Sequence, residues 1–291
     1  MKELVIISGK GGTGKTSITA AFAALADNAV VADCDVDAAD LHLVLAPHVM
    51  QTQDFVGGKR AEIDPHRCTR CGLCVDVCRF DAVKRPHVDG DYCIDAISCE
   101  GCGVCAAFCP QQAIAFEDCT NGQWFVSETR FGPMVHAALG IAEENSGKLV
   151  SLIRREARRI AEEEKKDLLI VDGSPGIGCP VIASITGADM VLIVTEPTLS
   201  GMHDLGRVAQ LAANFSIPTR VCINKADLNP RIAQDIENNA HKRGIGVAGR
   251  VRYTDAFTKA QIMQCSIVEY ADGAEAAEDT RNLWRNVTHG F

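Results

Sequence analysis

Eight of the chain's fourteen cysteines fall in two runs, Cys68, Cys71, Cys74, Cys78 and Cys99, Cys102, Cys105, Cys109, each spaced C-x2-C-x2-C-x3-C. Flanking residues repeat at the same offset, Ile63-Asp64 as Ile94-Asp95 and Ala82-Val83 as Ala113-Ile114, so the segment is a duplicated unit. Three thiolates two residues apart let a short loop wrap one iron-sulfur cubane, and the fourth, half a helical turn further on, points to the neighbouring one. The spacing predicts two [4Fe-4S] clusters, one held by Cys68, Cys71, Cys74 and Cys109, the other by Cys99, Cys102, Cys105 and Cys78. Gly72, Gly101 and Gly103 suit loops whose N–H groups must approach cluster sulfurs closely. Pro110 follows the second run, whereas Arg79 stands at the matching place in the first and changes local charge more than ligation. Structural zinc would need paired C-x2-C units or histidine partners and would leave the third cysteine of each run without a role. Disulfides do not suit a chain that opens without a secretory segment.

A second constellation lies near the start. The apolar run Leu4-Val5-Ile6-Ile7 leads into Ser8-Gly9-Lys10-Gly11-Gly12-Thr13-Gly14-Lys15-Thr16, which satisfies G-x4-G-K-S/T, and then into a helix-like stretch from Ser17 to Ala26. Strand, glycine loop and helix in that order are the context a phosphate-binding loop requires. Backbone N–H groups of Gly11, Gly12, Thr13, Gly14, Lys15, Thr16 and Ser17 would cradle phosphates, Lys15 would neutralise them, and Thr16 would bind Mg²⁺.

Four further apolar runs, at 29–32, 168–171, 190–194 and 221–223, have the length and Val, Ile and Leu content of buried parallel strands. Amphipathic stretches at 147–165, 201–215 and 230–243 alternate with them. That alternation predicts a doubly wound, mostly parallel α/β sheet of the P-loop class, with its functional groups at the carboxyl ends of the strands. Asp33, Asp35 and Asp37 fall at such an end, as do Asp172 and the Asn224-Lys225-Ala226-Asp227 segment, whose amide and carboxylate could read a base edge. The cysteine unit interrupts this alternation, so the chain divides into an ATPase domain of residues 1–55 and 121–291 and an inserted α+β ferredoxin-like domain of residues 56–120.

The loop from Lys10 to Thr16, the segment Asp33-Cys34-Asp35-Val36-Asp37 and the segment Asp172-Gly173-Ser174-Pro175-Gly176 resemble the deviant Walker A, switch I and switch II of the MinD/ParA/nitrogenase-iron-protein ATPases. The chain is most similar to MinD-like members that carry an inserted ferredoxin domain. The resemblance implies ATP and ADP as ligands and a dimer, with Lys10 reaching the partner's phosphates. It also implies that Asp35 orients the attacking water, that Asp33 and Asp172 serve the Mg²⁺ shell, and that Asn224 meets adenine. Asp40 and Arg252 depart from the family pattern and take no role. The insert lies between the two switches, so nucleotide state is expected to move the clusters.

A net charge of −9, with no long basic run, argues against nucleic-acid binding. The arginines at 154, 155, 158 and 159 alternate with acidic residues and read as a solvated, salt-bridged helix face. Leu283, Trp284, Val287 and Phe291 read as a helix docked on the protein's own core rather than a membrane anchor, and no apolar run is long enough to span a bilayer. The segment 131–136, with polar residues 143–148 after it, reads as a strand followed by a capped helix start. Cys34, Cys93, Cys119, Cys179, Cys222 and Cys265 read mostly as small buried hydrophobes, with Cys179 the candidate for a bridging ligand. Two functions fit: an ATP-gated electron carrier serving a redox partner, or an ATPase that matures a metal centre in a client. Full thiolate ligation favours the first. The expected dimer is formed with an identical chain or a paralogue, and the expected compartment is the reducing cytoplasm.

Overall fold

The structure, a computed structural model, describes residues 1–85, 90–140 and 147–289. The polar stretch 143–146 and Phe291 lie outside the described residues. Two units make up the chain: Met1–Gln53, Trp124–Ala138 and Asn145–Phe291 form the first, Asp54–Gln123 and Leu139–Glu144 the second. Relative to the expected insert of 56–120, the second unit is slightly longer at both ends and takes in the stretch from Leu139.

The strands are β1 (Lys2–Ser8), β2 (Ala29–Asp33), β3 (His48–Ile63), β4 (Val83–Lys84), β5 (Cys93–Ile94), β6 (Ile114–Thr129), β7 (Gly132–Leu139), β8 (Leu168–Pro175), β9 (Met190–Thr195), β10 (Thr219–Asn224) and β11 (Gly246–Val251). The helices are α1 (Lys15–Leu25), α2 (Leu41–Leu45), α3 (Leu73–Val77), α4 (Val104–Ala107), α5 (Gly147–Glu163), α6 (Cys179–Ile185), α7 (Leu199–Asn214), α8 (Pro230–Lys242), α9 (Ala256–Ile262), α10 (Ile267–Tyr270) and α11 (Glu275–Thr288). Among the described residues, nine strands share one sheet in the order β11-β10-β9-β1-β8-β2-β7-β6-β3. From β11 through β10, β9, β1, β8 and β2 to β7, each strand pairs in parallel with the next. The sheet is mostly parallel because its central strands are apolar on both faces: Leu4 to Ile7 of β1 and Val191 to Val194 of β9 are completely buried.

Strand β1 lies between β8 and β9, and β2 lies beyond β8. The crevice outside the carboxyl end of β1 is therefore a topological switch point, where a ligand is expected. The register brings two acids together there, since Asp33 pairs with Asp172 across β2 and β8.

Helix α5 corrects one reading of the sequence. Arg154 is buried rather than solvated, with Nε 2.8 Å from Glu3 Oε1 and Nη1 donating to the carbonyls of Ala183 and Thr186. Arg158 bonds the other oxygen of Glu3, while Arg159 keeps surface pairs with Glu156 and Glu163. A guanidinium with five fixed donors tolerates this burial because carboxylate and helix-end carbonyls satisfy them together. The terminal helix α11 docks inward, as expected: Leu283 and Val287 are buried, and Trp284 packs against Phe22 with ring centroids 4.9 Å apart. No helix among the described residues is long and apolar enough to cross a membrane.

Strand β7 places His136 in the interior, stacked on Phe125 and 2.8 Å from Ser127 Oγ. Burial, with His42 adding to it, lowers its pKa to about 4. The unfolded chain therefore takes up this proton first as pH falls. Stability from His136 is complete above about pH 6.5 and is lost progressively towards about pH 4, by about 3 kcal/mol in all. His136→Gln should remove that part of the acid sensitivity, read as a smaller difference between thermal midpoints at pH 7 and pH 5.

Candidate nucleotide and cysteine sites

The loop between β1 and α1 turns through Gly12 and Gly14, whose φ angles are +78° and +87°. At Gly14 a side chain would also collide, because its Cβ would lie 2.3 Å from Asn224 Nδ2. Helix α1 then starts with Lys15, whose buried Nζ lies 2.9 Å from Asp172 Oδ1 and 3.1 Å from Asp35 Oδ2. Asp172 also accepts from Thr16 and Thr19, each at 2.8 Å, and so is aimed by α1. Asp33 Oδ1 accepts from the Asp35 amide at 3.1 Å. The structure thus brings Lys15, Thr16, Asp33, Asp35 and Asp172 into one cluster.

Its charge is unbalanced. Burial alone would lower the Lys15 pKa, but Asp172 and Asp35, with Asp33 behind them, outweigh it and raise it. Burial, reinforced by Asp172, pushes Asp33 well above the usual carboxylate range, and burial pushes Asp35 up as well. Asp33 Oδ2, Asp35 Oδ1 and Thr13 Oγ1 are buried without a hydrogen-bond partner. Unsatisfied carboxyl and hydroxyl oxygens beside a loop of N–H donors fit a divalent cation that arrives with phosphate and displaces the protons that burial favours. Among the described residues no group of three or more His, Cys, Asp or Glu side chains could hold a metal ion by itself. Mg²⁺ does not need one, because it takes one or two carboxylates and completes its shell with phosphate oxygens and water.

Glu196, which no sequence motif marks, bridges two lysines at the loop. Lys10 Nζ contacts Glu196 Oε1 at 2.5 Å and Ser200 Oγ at 3.2 Å, within its own chain. Lys225 Nζ contacts Glu196 Oε2 at 3.1 Å and Gly12 O at 2.9 Å. Although partial burial opposes it, these two ammonium groups hold the Glu196 carboxyl below its usual range. Glu196 directly follows β9, so the strand-end rule that marked Asp172 could have marked it too. Asn224 is nearly buried, with Nδ2 donating to Thr13 O and Oδ1 accepting from the Lys225 amide.

In the second unit, α3 and α4 each begin after a glycine in the left-handed region, Gly72 and Gly103. Cys68, Cys71, Cys74 and Cys109 line a single cavity together with Ile63, Tyr92 and Ile114. Two of these sulfurs accept backbone bonds, Cys68 from the Arg70 amide at 3.4 Å and Cys109 from the Ala113 amide at 3.3 Å. Burial raises the Cys74 thiol, with Cys68 and Cys71 adding to the shift. Cys105 behaves alike beside Cys99 and Cys102. Burial also acts on Cys78, but the amides of Phe80, Ala82 and Val83 outweigh it and hold that thiol below its usual value. Four thiols lining one cavity, two of them with amide donors, are the residue types of a cubane's ligand set, although as placed no three of them form a site for a metal ion.

All fourteen cysteines are free. Of the six outside the runs, only Cys34 and Cys222 are buried; Cys93 and Cys179 are exposed, and Cys119 and Cys265 lie between. The expectation of buried thiols therefore fails for Cys93, Cys119 and Cys265, and Cys179, set apart as a candidate ligand, is exposed. Cys179 opens α6, where its side chain meets solvent because only the apolar face of that short helix, Val181 and Ile185, turns inward.

Residues 4–264 match the family model described as CobQ/CobB/MinD/ParA nucleotide binding domain. Among curated relatives, the chain is 36% identical to the uncharacterized protein MJ0578 of Methanocaldococcus jannaschii, over 78% of this chain and 79% of that protein. It is 26% identical to MJ0579 of the same organism, over 77% and 81%. A shorter match, 26% identical over 45% of this chain and 14% of that protein, is to the probable oxidoreductase YjgC of Bacillus subtilis. Among solved structures, the septum site-determining protein MinD of Pyrococcus horikoshii, complexed with Mg-ADP, superposes with a TM-score of 0.58 at 16% identity over 98% of this chain and 95% of that one. That likeness concerns the fold.

Proposed function

The chain belongs to the CobQ/CobB/MinD/ParA nucleotide-binding family, and on that premise we propose that this ATPase couples nucleotide-driven dimer closure to electron transfer, through two [4Fe-4S] clusters, to a redox partner. The P-loop amides and Lys15 bind the β- and γ-phosphates. Thr16, Asp33 and Asp172 hold Mg²⁺, which when bound neutralises the phosphate oxygens. Asp35 orients the attacking water. Lys10 exchanges Glu196 for the phosphates of the second subunit. A paralogous second subunit is supported by MJ0578 and MJ0579, two consecutively numbered relatives in one organism.

The observation that carries the redox half is the cavity shared by Cys68, Cys71, Cys74 and Cys109, three cysteines of one run and the last of the other. Bound clusters would supply one-electron storage. The cavity at the first set of four thiols, with amide donors to Cys68 and Cys109, favours a cluster that is kept over one delivered to a client, and the partial likeness to an oxidoreductase points the same way. Thiolate ligands and iron-sulfur chemistry both suit a reducing cytoplasm.

Anaerobically purified protein should contain about eight irons and eight acid-labile sulfides per chain. Cys109→Ser should impair the cluster of the first cysteine run and Cys78→Ser that of the second, as resolved by electron paramagnetic resonance of each variant. Zinc in place of iron, or about four irons per chain, overturns the two-cluster reading.

A further inference from the structure

Glu196 joins the two lysines that flank the phosphate-binding loop. It directly follows β9, and β9 lies beside β1 in the sheet, so its side chain reaches the loop that β1 feeds. Its Oε1 lies 2.5 Å from Lys10 Nζ and its Oε2 3.1 Å from Lys225 Nζ. Lys10 is held at further points. Its Nζ is 3.2 Å from Ser200 Oγ in the first turn of α7, and its carbonyl accepts from Ser8 Oγ at 2.8 Å. The preceding Gly9 packs so closely on α7 that a Cβ there would collide with Asp204.

These contacts are made within one chain. The Glu196 side chain is only 16% exposed and that of Lys10 34%, so solvent screens the pair less than it screens a fully exposed one. Lys225 also donates to Gly12 O at 2.9 Å, which keeps Glu196 aimed at the loop whether or not Lys10 stays. A lysine whose charge is met inside its own chain must give up Glu196 and Ser200 before it can reach a phosphate on another. Contacts made only in the unpaired state stabilise that state and oppose pairing. The terminal phosphate of ATP offers about two negative charges and three acceptor oxygens, more than a carboxylate does, and ADP ends one phosphate short of that position.

We propose that Glu196 is a positioning residue that restrains Lys10: it stands in for phosphate within the unpaired chain, so that a second copy of this chain is engaged only when bound ATP offers Lys10 the stronger anion. The inference rests on the reading in which Lys10 acts across the dimer, and it is independent of the clusters.

The test is sedimentation velocity of the whole protein over a range of concentrations, with Mg²⁺ and either a non-hydrolysable ATP analogue or ADP. Glu196→Gln keeps the shape of the side chain and removes its charge. A partly exposed ion pair changes an equilibrium by about three- to fivefold. Because a dimer of two copies breaks two such pairs, the variant should dimerise about 10- to 25-fold more tightly with the analogue than wild type does. Ser200→Ala removes the second tether without touching the acid. It should give a smaller gain of the same sign, and it decides the matter if circular dichroism shows Glu196→Gln to be unfolded. Glu196→Gln should give no gain in a Lys10→Ala background, where there is no ammonium to release. Simple loss of a negative charge beside polyphosphate would instead tighten both backgrounds alike. Unchanged or weaker dimerisation of folded Glu196→Gln, or an equal gain in both backgrounds, overturns this proposal alone. Equal dimerisation of wild type and Lys10→Ala, or no dimer of wild type with the analogue, overturns it together with the reading of Lys10 across the dimer.

Discussion

Lys15→Ala should abolish ATP hydrolysis, with phosphate release at least a thousandfold below wild type and nucleotide affinity reduced beyond easy measurement. Lys15 stands within 3.1 Å of both Asp35 and Asp172, with Asp33 close enough to raise its pKa further, so it is charged at every working pH. Its removal leaves three carboxylates facing a polyphosphate without the ammonium that separates them. Preorganised charge of this kind is worth several kcal/mol in a water-excluded site. The same substitution breaks a buried pair, which costs about 3 to 5 kcal/mol of stability, so circular dichroism must accompany the assay. Lys10→Ala provides the contrast. Lys10 is partly exposed and bonded to Glu196 and Ser200, outside the buried cluster, so its loss should leave ADP affinity largely intact while blocking turnover and ATP-dependent dimerisation. Normal phosphate release by a monomeric Lys10→Ala protein would contradict the proposed action across the dimer.

The difference between these two lysines shows what the sequence could and could not convey. The loop, Asp33 and Asp172 were legible because each follows a short apolar run, and a run buried on both faces leaves its first polar residues at the strand end. Strand β11 was not legible: Gly246-Val247-Ala248-Gly249-Arg250-Val251 has no apolar run, and its glycines serve packing. A Cβ on Gly249 would lie 3.3 Å from Leu283 of α11. The long strands β3 and β6 were missed because most of their residues stay exposed or half-exposed, so neither alternation nor a continuous run marks them. The Glu196 bridge between Lys10 and Lys225 joins residues about 190 and 30 positions apart. Only the sheet order, which sets β9 between β1 and β10, brings them together. Arg154 was misread for a related reason, since its partner Glu3 lies on the first strand.

Reduction of the clusters should change nucleotide affinity, and the magnitude separates an electron carrier from a maturation factor. The chain leaves the first unit along β3 and returns along β6, and both passages lie in sequence between Asp35 and Asp172. If ATP and ADP stabilise different arrangements of those two segments, the nucleotides also stabilise different cluster environments. Linkage then obliges cluster oxidation state to alter nucleotide affinity by the same free energy. Couplings of this kind amount to about 1 to 3 kcal/mol, or roughly a 5- to 150-fold change in affinity. The measurement pairs ADP and ATP-analogue affinities of the oxidised and dithionite-reduced protein with cluster potentials recorded in each nucleotide. A fivefold or larger difference, matched in sign and size by the shift in potential, is the expected outcome. Equal affinities with unshifted potentials would mean that hydrolysis does no work on the electrons, and would transfer the ATPase to the service of a client's metal centre.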